Sequence, residues 1–219
     1  MKRLSIRGGV FTDVDGGEQT TIGEVVNVII VNAASVSRSY FGNQFDPNKS
    51  TAPVCWSDDT QTPSPNVSED NVQARRCMDC TQNVRGSGEN GGRACRFQQR
   101  LAVVFEGNLD EVYQLQIPAS SIFGRVVNGN MGMQEYARYL SAHDTSVTSV
   151  VTNITFDKDS VIPKLYFKPV RPLDSGLGIK VSEMVVHEDT KRAITSFVPV
   201  TNEPSPFGSV DGGFDINAN

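Results

Sequence analysis

The sequence has no long hydrophobic run. Its longest apolar stretch, residues 25–34, is interrupted by Asn27 and Asn32 and is much shorter than the roughly 20 residues that cross a bilayer. The basic start, Met-Lys-Arg-Leu-Ser-Ile-Arg-Gly-Gly, is not followed by the apolar segment of a secretory signal peptide. We therefore predict a protein that does not cross a membrane and stays in the cytoplasm.

Sequence signatures of catalysis are also scarce. The chain contains no phosphate-binding G-x-x-x-x-G-K-[ST] loop, no G-x-S-x-G nucleophile elbow and no H-E-x-x-H metalloprotease helix. It has only two histidines, and the acidic pair Asp58-Asp59 lies in a polar stretch where solvation explains it. We therefore predict that the protein is not an enzyme.

The net charge is small but unevenly distributed. The 219 residues carry a formal charge of −5, which as an average argues against nucleic acid, since such binders usually present a basic face. Residues 71–100, however, hold six arginines against two acidic residues, a local charge of +4. Residues 201–219 hold three acidic residues and no basic one. The average therefore hides a basic segment and an acidic tail.

The four cysteines are clustered in the spacing Cys55-x21-Cys77-x2-Cys80-x14-Cys95. In a reducing cytoplasm such thiols are more often metal ligands than disulfides. The C-x-x-C pair places two thiolates on one tight turn, and the two single cysteines complete the closed ligand set of a structural zinc site. Residues 52–97 have too few large aliphatic side chains for a core, so a metal would supply the missing folding energy. We therefore predict one structural Zn²⁺ bound by these four cysteines.

Other uses of the cysteines stay open at this point. An iron–sulfur cluster takes the same soft ligands, and the thiols could instead be free or paired in disulfides. A thioredoxin-like redox role for Cys77-Met-Asp-Cys80 needs a β-α setting that this polar stretch does not provide. His143 and His187 fall in predicted helices, where a single histidine is commonly a surface or packing residue, so neither is included among the ligands.

Hydrophobic patterning predicts a mainly β fold. Residues 25–31 are almost continuously apolar, which is typical of a central strand buried on both faces. Asp15-Gly16 is typical of a hairpin turn, and residues 131–143 place apolar side chains at helical spacing. Further strands are predicted at residues 4–14, 18–23, 100–107, 111–118, 149–157 and 164–170, and a weaker helix at residues 178–196.

These elements predict an OB-like, mostly antiparallel β-barrel with one or two helices. The predicted barrel domain spans residues 1–200 and includes the zinc-binding insertion at residues 52–97. Residues 201–219 are rich in Pro, Gly, Asn, Ser and Asp and poor in aliphatic side chains, so we predict a disordered acidic tail.

Basic and aromatic residues are interleaved in three places along the chain. This pattern is typical of proteins that bind single strands, in which cations follow the phosphates and each stacked base contributes about 1–3 kcal/mol. Each residue also has an ordinary structural explanation, because a ring in a strand is commonly core, and Trp56 could equally pack against the metal site. The candidate contacts chosen by this criterion are Arg38, Tyr40, Phe41, Trp56, Arg93, Arg96, Phe97, Lys164, Tyr166 and Lys168.

The layout of residues 1–172 resembles the single-stranded DNA-binding proteins of tailed bacteriophages. The resemblance rests on an amino-terminal strand region followed by several blocks: Pro53-Val-Cys-Trp-Ser-Asp-Asp, Cys77-Met-Asp-Cys-Thr-Gln-Asn, Gly86-Ser-Gly, Cys95-Arg-Phe, Val150-Val-Thr-Asn-Ile-Thr-Phe and Pro163-Lys-Leu-Tyr-Phe-Lys-Pro-Val-Arg. It implies an OB-type barrel that holds a strand in a basic groove, in some members with a zinc-bearing insertion. It also implies an acidic carboxy-terminal tail that contacts replication proteins. The tail here departs from that pattern because it is only weakly acidic and lacks a terminal aromatic residue.

We therefore expect sequence-independent coating of single-stranded DNA during phage replication or recombination, in the host cytoplasm. The acidic tail is expected to occupy the protein's own cationic groove until nucleic acid displaces it. The alternative is a zinc-containing accessory factor that binds a polymerase or transcription complex. A zinc module alone does not distinguish these two kinds of partner.

Overall fold

The computed structural model describes residues 1–42, 52–88, 91–124 and 126–195. These ranges contain ten β-strands and four α-helices. The strands are β1 (Lys2–Ser5), β2 (Phe11–Asp15), β3 (Glu18–Gly23), β4 (Val25–Ala33), β5 (Ser37–Tyr40), β6 (Cys55–Ser57), β7 (Arg96–Phe105), β8 (Asn108–Pro118), β9 (Val150–Phe156) and β10 (Leu165–Pro172). The helices are α1 (Ala119–Ile122), α2 (Met133–Ser141), α3 (Ser175–Val185) and α4 (Glu188–Ile194). The predicted disordered tail at 201–219 lies outside the described residues.

Eight strands form a curled mixed sheet in the order β10-β9-β4-β7-β8-β1-β2-β3. The pair β1–β8 is parallel, and the other neighbouring pairs are antiparallel. The two short strands β5 and β6 extend the sheet, with β5 hydrogen-bonded to both β6 and β7. The prediction of a mainly β, mostly antiparallel fold is therefore confirmed, whereas the expected one or two helices are too few for the described part of the chain.

The central strand β4 is buried on both faces, as its continuous apolar run predicts. Because successive side chains of a strand point to opposite faces, Val28 and Ile30 enter one core, while Ile29 and Val31 enter another. Helices α1 and α2 cover the first face with Ile122, Met133, Tyr136 and Leu140, and helices α3 and α4 cover the second with Val181 and Ala193.

The helix predicted at residues 131–143 is confirmed as α2, whereas the one predicted at 178–196 is split into α3 and α4. The split follows from local hydrogen bonds. The side chain of His187 accepts a hydrogen bond from the Asp189 N–H at 3.3 Å and so caps the start of α4. The Thr190 hydroxyl donates to the Met184 carbonyl oxygen at 2.6 Å, which satisfies an acceptor at the end of α3.

A tight hairpin lies between α1 and α2. Asn128 and Gly129 have φ angles of 51° and 80°, the left-handed pair that a two-residue type I′ turn requires. Behind the turn, Gly124 and Gly132 cross closely, because a Cβ atom at Gly132 would lie 2.8 Å from the Gly124 backbone nitrogen. A side chain at Gly132 would therefore clash with backbone at this crossing.

We expect Gly132→Ala to destabilise the protein by about 1–3 kcal/mol, because the added methyl group meets backbone that cannot rotate away. Gly178→Ala is the matched control, since Gly178 lies in α3 with no atom within 4 Å of its missing Cβ. That control should be neutral or stabilising by up to about 1 kcal/mol. Urea unfolding of the two variants tests this, and equal stabilities would contradict the close crossing.

Within the described residues, the longest helix is α3, with 11 residues. No helix in this part of the chain is both long enough and apolar enough to cross a membrane.

Candidate metal site and the surface beside it

The four cysteines come from three separate segments that backbone hydrogen bonds hold together. Cys55 begins β6, Cys95 precedes β7, and Cys77 and Cys80 flank a tight 3₁₀ turn in which the Cys80 N–H donates to the Cys77 carbonyl oxygen at 3.4 Å. The Cys77 N–H donates to the Gln61 carbonyl oxygen, and the Cys95 N–H to the Gln82 carbonyl oxygen, each at 2.8 Å. The C-x-x-C turn is therefore joined both to the chain after β6 and to the chain before β7.

All four cysteines are free thiols, and all four line one cavity. The cavity has a volume of about 20 Å³, which is room for one occupant of about the size of a water molecule. Its wall contains no aspartate, glutamate or histidine side chain among the described residues. Besides the cysteines, the wall is formed by Arg38, Tyr40, Trp56, Ser57, Pro63, Gln73 and Ala74.

The cavity wall provides the donor atoms that zinc prefers, but their side chains are not arranged as in a formed metal site. Four soft sulfur ligands around one small cavity are the donor set of a structural zinc site. Across the ranges that the structure describes, however, no three histidine, cysteine, aspartate or glutamate side chains already stand in a geometry that could hold a metal ion. The zinc site stays a prediction.

Burial keeps two of the thiols protonated in the absence of a metal. It raises the pKa of Cys55, and it raises the pKa of Cys95 to about 12. The positive charge of Arg38 acts on the Cys95 pKa in the opposite direction. A metal ion would therefore displace protons from buried thiols, which makes its binding dependent on pH.

Arg38 is a buried cation at the wall of this cavity. Arg38 is only 6% exposed, and its Nε and Nη1 atoms have no hydrogen-bond acceptor among the described residues. The guanidinium lies 4.0 Å from the ring centre of Phe97, its cross-strand neighbour on β7. Arg38 was predicted as a contact to nucleic acid, but in this position its accessible partners are the ring and the cavity.

The aromatic contact continues from Phe97 to the surface. The Phe97 ring meets Phe123 edge to face at 5.4 Å between centres, and Phe123 is 46% exposed. Phe123 was not among the predicted site residues. The cation-and-ring pattern that selected the other candidates could have found it, because the sequence reads Phe123-Gly-Arg.

Exposed arginines lie close to the cysteines along the chain. Two of them lie on the loop that leads to Cys95, where the Gly86 and Gly88 N–H groups both donate to the Gly92 carbonyl oxygen. Arg76 forms a 3.6 Å ion pair with Asp79 on the C-x-x-C turn. The exposed members of this set, which we call the arginine rim, are Arg75, Arg76, Arg85, Arg93 and Arg96.

The other predicted contacts fall into two groups. Tyr40 and Trp56 line the cavity, Trp56 is buried, and Phe41 follows β5 and is half-buried. Lys164, just before β10, and Tyr166, on β10, are both hydrogen-bonded to Asp157: the ammonium donates at 2.7 Å and the phenol at 2.9 Å. These hydrogen bonds, that of Lys164 first, lower the Asp157 pKa. Lys168 is exposed on the same strand.

The two groups meet at α1. The Ser120 hydroxyl donates to the Pro163 carbonyl oxygen at 3.1 Å, so the chain before β10 is fastened to this helix. Lys164 also passes close to Gly124, the residue after Phe123. The structure therefore brings the cavity, the Phe97–Phe123 pair and the start of β10 into one sequence of contacts.

The acidic pair near β6 has a structural explanation. The Asp59 carboxylate accepts hydrogen bonds from the Thr62 N–H at 2.9 Å, the Gln61 N–H at 2.8 Å and the Ser57 hydroxyl at 2.9 Å. These bonds, led by that of Thr62, lower the Asp59 pKa to about 2. Asp59 therefore organises the turn after β6.

Comparisons with protein-family models, with curated protein sequences and with solved structures found no match. The resemblance to the phage single-stranded DNA-binding proteins therefore rests on the sequence blocks alone and stays a prediction.

Proposed function

We propose that this protein binds single-stranded DNA without sequence specificity, and that its four cysteines hold one Zn²⁺ that keeps the binding surface folded. The observation that carries the proposal is the arginine rim, five exposed arginines within residues 75–96, together with the exposed ring of Phe123, which contacts Phe97 next to the cavity residue Arg38. Cations for phosphates and a ring for bases are the two elements that sequence-independent strand binding needs.

The arginine rim supports the proposal because three of its five members have no ion-pair partner among the described residues. Arg75, Arg85 and Arg93 form no ion pair with any residue in the described ranges. Exposed cations without a carboxylate partner can bind phosphates without first breaking an ion pair. The buried or ion-paired candidates Trp56, Lys164 and Tyr166 support the proposal less, because binding a strand would first require them to leave their present contacts.

The composition of the cysteine segment supports a structural role for zinc. In residues 52–88 and 91–95, the buried apolar side chains other than cysteine are Trp56 and Val67. Two side chains do not form a core, and the regular elements of residues 52–88 are one three-residue strand and three short 3₁₀ turns. A metal bound by four thiolates would provide the missing stabilisation.

The finer features of the proposal extend the same reasoning. We take the curled sheet to be an OB-like barrel that carries the zinc-bound segment between β5 and β7. Residues 201–219 would act as an acidic competitor for the groove and as a contact for replication proteins. That role is inferred from the sequence only.

Titration of a fluorescent oligo-dT with the full chain at two salt concentrations tests the DNA-binding proposal. We expect binding that weakens with salt. In an Arg85→Ala, Arg93→Ala variant, the slope of log affinity against log salt should fall by about 1.4, since each phosphate contact on a single strand contributes about 0.7.

The matched control is Arg3→Ala, Lys180→Ala, which removes the same charge from two exposed residues, one on β1 and one on α3. The control should keep the wild-type slope. Equal slopes for the two variants would contradict the assignment of the surface. No binding at low salt would overturn the function and favour the accessory factor that binds proteins.

A further inference from the structure

The buried side chain of Arg38 has N–H donors for which the described residues provide no acceptor. A guanidinium presents five N–H donors, and a buried charged group without acceptors costs more than any other unsatisfied polar group. Two of its nitrogen atoms, Nε and Nη1, are buried without an acceptor. Phe97 accounts for one flat face of the guanidinium, but a ring face does not satisfy donors that lie in the guanidinium plane.

The cavity itself offers one kind of anion. Its lining contains no carboxylate, and apart from the Tyr40 hydroxyl the ionisable acids in the wall are the four cysteines. Metal-bound thiolates are strong acceptors because they carry the charge that the thiols lose on binding. Four thiolates around one Zn²⁺ leave two negative charges on the site, and their protons pass to the solvent.

We infer that Arg38 is the counter-ion of the metal site, and that its unpaired N–H groups donate to the metal-bound thiolates of the cavity. This inference rests on the zinc site proposed above but not on the binding of DNA. Arg38 is thus a positioning residue: it halves the net charge of the buried site and orients sulfur ligands. Hydrogen bonds to ligands commonly change metal affinity by about 10–100-fold.

The inference makes opposite predictions for the metal-free and metal-bound protein. Without a metal, the Arg38 donors are unsatisfied, so an apolar side chain of similar length should be tolerated or preferred. With a metal, the same change removes the cation that balances the thiolates. An arginine that only fills space would instead stabilise both forms equally.

The test uses the full chain, prepared without metal and titrated with Co²⁺, whose thiolate complexes are coloured. We expect Arg38→Met to bind Co²⁺ about 10–100-fold more weakly than the wild type, measured by competition with a chelator. The thermal midpoint of the metal-free variant should be unchanged or higher. Arg38→Lys keeps a cation but not the planar guanidinium. Its Co²⁺ affinity should lie between those of the wild type and Arg38→Met.

The matched control is Arg100→Met. Arg100 is the other buried arginine of the described core and lies on β7, but it does not line the cavity. This variant should bind Co²⁺ as the wild type does. Wild-type Co²⁺ affinity in Arg38→Met would overturn the inference, as would an affinity loss matched by an equal loss of metal-free stability. Failure of the wild type itself to bind Co²⁺ would overturn the zinc proposal as well.

Discussion

Replacing both Cys77 and Cys80 with serine is expected to abolish zinc binding and to unfold the segment between β5 and β7. The serine hydroxyl is a harder donor and keeps its proton at neutral pH, so it does not replace a thiolate ligand. Structural zinc sites contribute apparent binding free energies of about 10–16 kcal/mol in small domains, and loop-rich segments often fold only with the metal. The two buried side chains Trp56 and Val67 cannot make up that difference.

The unfolding should stay local. The two cores of the sheet contain no residue of the segment 52–88, so β4, β7 and β9 keep their packing when the metal is lost. We therefore expect the thermal unfolding of the sheet to persist, while trypsin cuts rapidly after Arg75, Arg76 and Arg85.

Zinc content per chain and tryptic digestion measure the two halves of this prediction. Met78→Ser is the matched control, because Met78 lies between the two cysteines on the same turn and is 70% exposed. It should keep both the zinc and the resistance to trypsin. A wild-type protein treated with a chelator should behave like the double variant. Resistance to trypsin without any metal would contradict a structural zinc site.

Local sequence patterns predicted the elements that form in the same way whatever they pack against. The apolar run of β4 requires burial on both faces whatever lies there, and α2 has its apolar side chains on one side of the helix. The turn between β2 and β3 follows from Gly16 and Gly17, whose φ angles of 56° and 107° are easily adopted by glycine.

Long-range pairing could not be predicted in this way. The parallel contact of β1 with β8 joins residues more than 100 positions apart, and no local pattern specifies it. The burial of Arg38 was missed for the same reason. A cation next to a ring in the sequence looks identical whether the strand lies at the surface or beneath another segment, and here β5 is enclosed between β6 and β7.

The cysteine site could be predicted from the sequence in part. Their spacing indicated a common site, and the structure places all four at one cavity. What the spacing could not indicate is the buried cation beside them, or the contact from that cation through Phe97 to Phe123. The contact to Phe123 follows from the position of α1, at whose end Phe123 lies.

Replacing Phe123 with leucine is expected to weaken the binding of oligo-dT without changing its dependence on salt. Phe123 is the outermost ring of the contact series, and leucine keeps an apolar side chain against Phe97 while removing the flat surface on which a base can stack. Loss of one stacked base corresponds to about 1–3 kcal/mol, or about 5- to 150-fold in affinity. No phosphate contact is removed, so the salt slope should equal that of the wild type.

Tyr139→Leu provides the matched control for this result. Tyr139 is 42% exposed on α2, packs on the His143 ring at 4.4 Å between centres, and does not line the cysteine cavity. Wild-type affinity in this variant, together with a loss in Phe123→Leu, would assign stacking to the surface beside the cavity. Equal affinities for the two variants would contradict a role for Phe123. A loss in Phe123→Leu that came with a smaller salt slope would mean that the ring positions cations rather than bases, because stacking itself releases no counterions.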